Sequence, residues 1–139
     1  MRLIQAIRRG SDRGANSRND LLIVEDDVDL IEILVNMIGD LAEITIASTL
    51  EQAKKELKSN NWSLAILDIG LPDGSGLDLI PLFKDDGKPP TPVIIFSVDE
   101  VGKDIASKVE HALVKSRSSN EELLAMIETM LSRTGVNIS

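Results

Sequence analysis

Short apolar runs alternate along this chain with stretches in which apolar residues recur at every third or fourth position. The first run, Leu21 to Val24, is continuous, as in a strand that is buried on both faces. After it the spacing becomes helical and predicts a helix from about Asp27 to about Gly39. The apolar stripe of this helix is Leu30, Ile31, Leu34, Ile38 and Leu41.

The same alternation continues to about residue 133 and predicts four more strands. They are 43–47, 62–67, 93–96 and 112–114. Strands that alternate with helices across short loops imply a parallel sheet, right-handed crossovers and helices on both faces. The pattern therefore predicts an α/β fold.

Local signals mark several of the helices. Ser48-Thr49-Leu50-Glu51 and Ser119-Asn120-Glu121-Glu122 are capping boxes, in which the serine and the last glutamate satisfy free amides at a helix start. Pro81 falls inside the helix predicted from Leu77, so we expect a kink or a short first segment there. The stretch 99–110 has few apolar anchors and predicts only a short helix.

Polar side chains follow four of the predicted strands, at the point where each strand ends. Glu25 and Asp26 follow the first strand, Asp68 the third, Ser97 the fourth and Lys115 the fifth. In an open α/β sheet, ligands bind at this carboxyl edge. Acids, a hydroxyl and an ammonium at one edge predict a site for a metal ion and a phosphoryl group.

Composition limits the classes of protein to which the chain can belong. Its 139 residues, 42% hydrophobic and 27% charged, fit one compact domain with a core of ordinary size. The absence of cysteine excludes a disulfide framework and a thiolate metal site. Because the apolar runs are too short for a membrane span or a secretory signal, we expect a soluble, cytoplasmic protein without a membrane partner.

Charge is distributed unevenly between the start of the chain and the rest. Residues 1–19 carry five arginines and one aspartate, so that the remainder has a net charge of −12 within the total of −8. A body this acidic repels a phosphate backbone, and we expect no nucleic-acid partner. We interpret residues 1–19 as a flexible basic tail or linker, 20–134 as the folded domain and 135–139 as a C-terminal tail.

These motifs together resemble a response-regulator receiver domain of two-component signalling, from Asp20 to about Arg133. The similarity lies in LLIVEDD, LAILDIGLPDGSG, PVIIFS and ALVKS, and ALVKSRSSNEELL is also similar to receivers of hybrid sensor kinases. The family implies a flavodoxin-like, doubly wound five-stranded parallel sheet in the order 2-1-3-4-5. It also implies a signalling domain, not an enzyme in its own right, that promotes only its own phosphorylation and dephosphorylation.

The resemblance assigns a role to each polar residue at the strand ends. Asp68 would accept a phosphoryl group from a histidine of a partner kinase or phosphotransfer domain. Glu25 and Asp26 would be the metal-binding acids, Ser97 the hydroxyl that contacts the phosphoryl group, and Lys115 its charge partner. A homodimer is left open.

Phosphoryl transfer asks for these residue types on chemical grounds as well. A carboxylate that attacks phosphorus approaches oxygens that are already negative, so catalysis must come mainly from positioning and charge neutralisation. Mg²⁺ suits the acids because it prefers oxygen ligands and keeps waters that phosphoryl oxygens can replace. We expect Asp26, Asp68 and the backbone carbonyl of Gly70 as direct Mg²⁺ ligands, with Glu25 acting through water.

Three positions depart from the family pattern. Val98 follows Ser97 where a small residue is usual, and its methyl groups could narrow the entry to the site. Ala112 stands where many receivers carry an aromatic switch residue, so rotation of a ring cannot be the output signal. Ser116 replaces the usual proline after the lysine.

Each residue also has a purely structural interpretation. Asp26 or Asp27 could cap the first helix, and Asp68 could belong to the turn that follows it. His111 is interpreted as an exposed histidine at a strand edge and not as a phosphate donor. As a whole, the chain could be a pseudo-receiver, an interaction module that works without phosphorylation. A haloacid-dehalogenase-type phosphatase is disfavoured, because Gly70 stands where that motif requires a second aspartate.

Overall fold

Five parallel strands form the central sheet of the computed structural model, which describes residues 19–59, 61–83 and 91–134. The strands are β1 (Asp20–Val24), β2 (Glu43–Ala47), β3 (Leu64–Leu67), β4 (Val93–Ser97) and β5 (His111–Val114). Their order across the sheet is β2-β1-β3-β4-β5, and every neighbouring pair is parallel. The predicted fold class and the order 2-1-3-4-5 are confirmed. The predicted tails, apart from Asn19, lie outside the described residues.

Helices cover both faces of this sheet. They are α1 (Val28–Ile38), which a single turn of 3-10 conformation (Gly39–Leu41) follows, α2 (Leu50–Ser59), a 3-10 helix (Gly76–Phe83), α3 (Lys103–Ala106) and α4 (Asn120–Thr134). Alternate residues of β1 point to opposite faces. Leu21 and Ile23 pack in one core with α1 and α4, whereas Leu22 and Val24 pack in a second core with α2 and the 3-10 helix. The doubly wound arrangement thus follows from the continuous apolar run of the strand.

The caps of α1 and α4 form as the sequence predicts. Asp27 accepts hydrogen bonds from the backbone amides of Asp29 and Leu30 at 3.0 and 3.3 Å. In the second capping box, Ser119 Oγ accepts from the Glu122 amide at 3.0 Å, and Glu122 Oε1 accepts from the Ser119 amide at 2.8 Å. Asp27 therefore caps α1 and leaves the carboxylate of Asp26 exposed.

The first predicted capping box is wrong by one residue. Thr49 Oγ1, not the Ser48 hydroxyl, accepts from the Gln52 amide at 3.1 Å, while Gln52 Oε1 accepts from the Ser48 amide at 2.8 Å. The cause lies elsewhere in the chain, because Asp73 occupies the amides of Leu50 and Glu51 from across the fold. These two amides then need no local acceptor, and the helix starts after Thr49.

Two other helices depart from regular α-helix. The segment that contains Pro81 winds as a 3-10 helix over its whole length, in place of the predicted kink or short first segment. Proline lacks the amide hydrogen that an α-helical bond needs at that position. The weak signal over 99–110 yields only α3, which has four residues. None of the helices among the described residues has the length and apolar character needed to cross a bilayer.

Candidate functional site

Three of the predicted site residues, Glu25, Asp68 and Lys115, directly follow a strand and remain hydrogen-bonded to a neighbouring strand, and Ser97 is the last residue of β4. The Glu25 amide donates to Ala47 O at 3.0 Å, and the Asp68 amide donates to Val24 O at 2.9 Å. On the other side of β3, the Lys115 amide donates to Ser97 O at 2.8 Å. Because the strands are parallel and in register, these bonds bring the residues to one edge of the sheet.

Three carboxylates meet at this edge. Glu25, Asp26 and Asp68 each offer an oxygen, and these oxygens lie within 4.8 Å of one another. Asp26 is exposed, but Glu25 and Asp68 are only 4% and 7% exposed. A group of hard oxygen donors with one solvent-facing member fits Mg²⁺, which binds one or two carboxylates and keeps several waters.

Lys115 supplies the positive charge next to these acids. Its Nζ lies 3.0 Å from Glu25 Oε1 and 3.5 Å from Asp68 Oδ2, so the ammonium links the two buried carboxylates. The same Nζ lies 5.9 Å from the centre of the Phe96 ring. One ammonium facing three acids leaves the site with an excess of negative charge.

Burial and the neighbouring charges shift the pKa values of Glu25 and Lys115. Burial, helped by the charge of Asp68, raises the pKa of Glu25 from 4.5 to about 7, against the opposing hydrogen bond from Lys115. The Asp27 amide also donates to Glu25 Oε2 at 3.1 Å. For Lys115, burial alone would lower the pKa, but the hydrogen bond and charge of Glu25 and the charge of Asp68 raise it. The raised pKa of Lys115, and the part of the Glu25 shift that is due to Asp68, indicate a site that favours added positive charge, which a bound cation would provide.

Ser97 and the exposed Asp26 lie on opposite sides of Asp68, because β3 stands between β1 and β4 in the sheet. The side chain of Ser97 is among the most buried polar groups, with 1% exposure, and its Oγ accepts a hydrogen bond from the Ile69 amide at 3.4 Å. This contact places the hydroxyl next to the backbone that follows Asp68. Ser97 Oγ acts as the acceptor in this bond, and a serine hydroxyl can also donate its hydrogen to an acceptor in the site.

Gly70 follows two residues after Asp68 and begins a small hairpin. The strands of this hairpin are Gly70–Leu71 and Gly74–Ser75, and they pair antiparallel. Gly70 is exposed, and the use of its carbonyl as a metal ligand stays a prediction.

His111 opens β5, four residues before Lys115, and is thus about 13 Å from it along the strand. It is half-buried and not exposed as expected, at the opposite end of β5 from the acids, and its exclusion as a phosphate donor stays a prediction.

Two of the residues that depart from the family pattern, Val98 and Ser116, directly follow site residues, and Ala112 precedes Lys115 by three positions. Val98 is 67% exposed immediately after Ser97. Ala112 lines a groove of about 220 Å³ between β4, β5 and α3, with Ile95, Val101 and Ala106 among its other walls. An alanine side chain leaves this groove open. Ser116 is exposed.

Asp73 is the residue near the site that the sequence did not indicate. In the sequence it stands in the turn that follows Asp68, yet its carboxylate binds the start of α2. Its partners are 22 and 23 residues away in sequence, so no local pattern could reveal them. The only signal was an acidic residue at the tip of a Pro-Asp-Gly turn.

Comparisons with known proteins add a family to this geometry. Residues 21–128 match the family described as the response regulator receiver domain. The two-component response regulator PhoP of Pseudomonas aeruginosa is 31% identical over 119 residues, which cover 82% of this chain and 52% of that protein. The probable transcriptional regulatory protein y4xI of Sinorhizobium fredii is 30% identical over 111 residues, or 78% of this chain and 49% of that protein. The chain therefore spans about half the length of these curated relatives.

Solved structures agree with the fold. A signal receiver domain from Vibrio parahaemolyticus superposes with a TM-score of 0.72 at 28% identity, covering 84% of this chain and 92% of that one. A CheY-like response regulator receiver domain protein from Methanospirillum hungatei gives a TM-score of 0.71 at 21% identity, covering 85% and 97%. At 21% identity, the similarity to the Methanospirillum hungatei protein concerns the fold alone.

Proposed function

Because this chain belongs to the response-regulator receiver family of two-component signalling, we propose that Asp68 accepts a phosphoryl group from a histidine and that the phosphorylated form relays a conformational signal. Receiver domains interact with histidine kinases or phosphotransfer proteins, so the donor histidine belongs to such a partner. One observation carries the proposal. Three acids, a buried hydroxyl and an ammonium meet at the carboxyl edge of the sheet around Asp68.

The acids would hold Mg²⁺ in this scheme. Asp26, Asp68 and the Gly70 carbonyl would bind it directly, and Glu25 would bind it through water. When bound, the ion supplies positive charge that offsets the acids and the incoming phosphoryl oxygens.

The chain's own residues then have separate tasks in the transfer. A carboxylate oxygen of Asp68 forms a bond to phosphorus while the bond from phosphorus to the donor nitrogen breaks, and the nitrogen keeps the electron pair. Lys115, now 3.5 Å from Asp68 Oδ2, is close enough to turn its ammonium toward a phosphoryl oxygen. Ser97 donates its hydroxyl hydrogen to another of these oxygens, which holds the loop after β4 against the phosphorylated aspartate.

The pseudo-receiver is the second candidate, and the groove beside Ala112 is the observation that favours it. The position that would carry an aromatic switch residue has only a methyl group, and the space next to it is open. A receiver surface of this kind could act in binding without a phosphorylation-dependent change.

Labelling with a small phosphodonor tests the first candidate against the second. Acetyl phosphate and MgCl₂ should add one phosphoryl group to the chain, as seen by mass spectrometry of the intact protein, and hydroxylamine should remove it. Asp68→Asn should abolish the adduct. Asp78→Asn, which changes an exposed acid in the 3-10 helix, is the matched control and should label normally.

Two results would count against the proposal. Undiminished labelling of Asp68→Asn would exclude Asp68 as the acceptor. A chain that binds Mg²⁺ normally but takes no label from acetyl phosphate or from a phosphorylated histidine phosphotransfer domain would favour the interaction module.

A further inference from the structure

The chain between Asp68 and Gly76 forms a hairpin with a fixed base. The Gly76 amide donates to Ile69 O at 2.7 Å and closes the two short strands, in which Gly70 pairs with Ser75. The approach is tight, since a Cβ atom on Gly76 would lie only 2.0 Å from Asp68 O. The backbone of Asp68, the proposed acceptor, is therefore in direct contact with the backbone of Gly76, where the hairpin ends.

The tip of this hairpin has an anchor as well. Asp73 Oδ1 accepts from the Leu50 amide at 2.7 Å, and Asp73 Oδ2 accepts from the Glu51 amide at 3.1 Å. These are the first amides of α2, which favour a negative charge. The Leu50 amide lowers the pKa of Asp73, with the Glu51 amide adding to the effect, so the carboxylate stays charged. Gly74 lets the chain pass close by, because its φ is +153° and a Cβ there would lie 2.9 Å from Leu50 Cδ2.

Gly70 lies between these two anchors, on the strand that leads from the base to the tip. We propose that Asp73 is a positioning residue for the metal site. By tying the hairpin tip to α2, it fixes the direction of the Gly70 carbonyl toward the acid cluster. This inference rests on the metal site of the proposed function and adds to it a residue that does not touch the metal.

A purely structural role as a helix cap predicts a different outcome, and the chain provides the means to separate the two. The helix α2 has its own capping box, formed by Thr49 and Gln52. Loss of Thr49 Oγ1 weakens the start of α2 but leaves the bonds between Asp73 and α2 in place. Loss of the Asp73 carboxylate weakens the start of α2 and also frees the hairpin.

The test compares Asp73→Ala with Thr49→Ala in Mg²⁺ binding, measured by isothermal titration calorimetry with MgCl₂ alone. Asp73→Ala should weaken Mg²⁺ binding by about tenfold, the lower end of the effect of removing a group that supports a metal ligand. Thr49→Ala should change the affinity less than twofold, although it also removes a hydrogen bond from the start of α2. Asp73→Asn keeps one carbonyl oxygen for the Leu50 amide and should give an intermediate affinity.

A second measurement follows the hairpin directly. In the metal-free protein, Asp73→Ala should speed amide hydrogen exchange in 70–75, and Thr49→Ala should not. If Asp73→Ala is poorly folded, Asp73→Asn carries the comparison, and its affinity should still fall below that of Thr49→Ala. Equal Mg²⁺ affinities for the parent chain and the Asp73 variants would overturn the inference, as would equal losses for Asp73→Ala and Thr49→Ala.

These results are independent of phosphorylation. If Mg²⁺ binding depends on Asp73 but Asp68 takes no label, the positioning role stands and the proposed function fails. If Asp68 labels normally and the Asp73 variants bind Mg²⁺ like the parent chain, the function stands and this inference fails. A parent chain that binds no Mg²⁺ overturns the inference as well.

Discussion

Glu25 should make the metal-free protein less stable as the pH rises through neutrality. Its pKa is raised from 4.5 to about 7, chiefly by burial, and the side chain is nearly inaccessible. An acid with a raised pKa binds its proton more tightly in the folded chain than in the unfolded chain. Ionisation of Glu25 therefore lowers the free energy of unfolding. This loss is absent below about pH 4.5 and complete above about pH 7.

The magnitude follows from the size of the shift. At 1.36 kcal/mol per pKa unit, a change from 4.5 to about 7 corresponds to about 3 kcal/mol in the free energy of unfolding. With a urea dependence of about 2 kcal/mol per M, the midpoint of unfolding should fall by about 1.5 M between pH 4.5 and pH 8 on account of Glu25 alone. Saturating MgCl₂ should restore most of this loss, because the cation favours the charged carboxylate.

Urea unfolding in EDTA, from pH 4.5 to pH 8, measures the effect. The fluorescence of buried Trp62 reports unfolding. This residue lies two positions before β3, at the opposite end of that strand from Asp68, so Mg²⁺ itself should barely alter the signal. Glu25→Gln removes the titration, and other groups cancel when it is compared with the parent chain. Glu32→Gln, an exposed acid on α1, is the control. Parallel pH dependences for Glu25→Gln and the parent chain in EDTA would refute the argument.

Three further predictions concern single substitutions. Gly76→Ala should lower the free energy of unfolding by about 3 kcal/mol or more in urea titrations, because the new Cβ would lie 2.0 Å from a backbone oxygen. Gly102→Ala is the control and should have little effect, because no atom lies within 4 Å of a Cβ at that position. Similar small losses for the two variants would contradict the tight approach at Gly76. Val98→Ala should speed labelling by acetyl phosphate if the valine narrows the entry beside Ser97, and an unchanged rate constant would show that it does not. Lys115→Ala should leave Mg²⁺ affinity within about threefold of the parent chain in calorimetry, because the ammonium balances charge without binding the ion. The same variant should lose any change in hydrogen exchange at 98–109 on phosphorylation. An intact exchange response would show that Lys115 takes no part in the conformational change.

Features that depend on near neighbours in sequence could be predicted. The apolar run of β1 indicates burial on both faces, and the structure packs its alternate residues into two cores. The caps by Asp27 and Ser119 also form as expected, since each donor lies two or three residues from its acceptor. The polar residues at the strand ends meet because parallel strands in register end at one edge.

Features set by distant parts of the chain could not be predicted in the same way. The capping box of α2 shifts to Thr49 because Asp73, more than 20 residues away, takes the first amides of the helix. The raised pKa of Glu25 depends on how deeply it is buried and on the nearness of Asp68, which only the packed strands establish. Pro81 signalled a disturbance of the helix but not that the whole segment would wind as a 3-10 helix.

The thin cover over one end of the sheet has a consequence for the way a signal could leave this domain. Among the described residues between β4 and β5, the only apolar side chains that pack against the core on the side of α2 are the partly buried Val101, Ile105 and Val109, next to the open groove at Ala112. So little apolar surface gives a small free-energy gap between the docked and undocked forms of this segment. Each 1.4 kcal/mol changes the ratio of two such populations tenfold. One new hydrogen bond at Ser97 could therefore change the fraction of molecules in which residues 98–109 are docked. A partner would then respond to this fraction and not to the position of an aromatic switch residue.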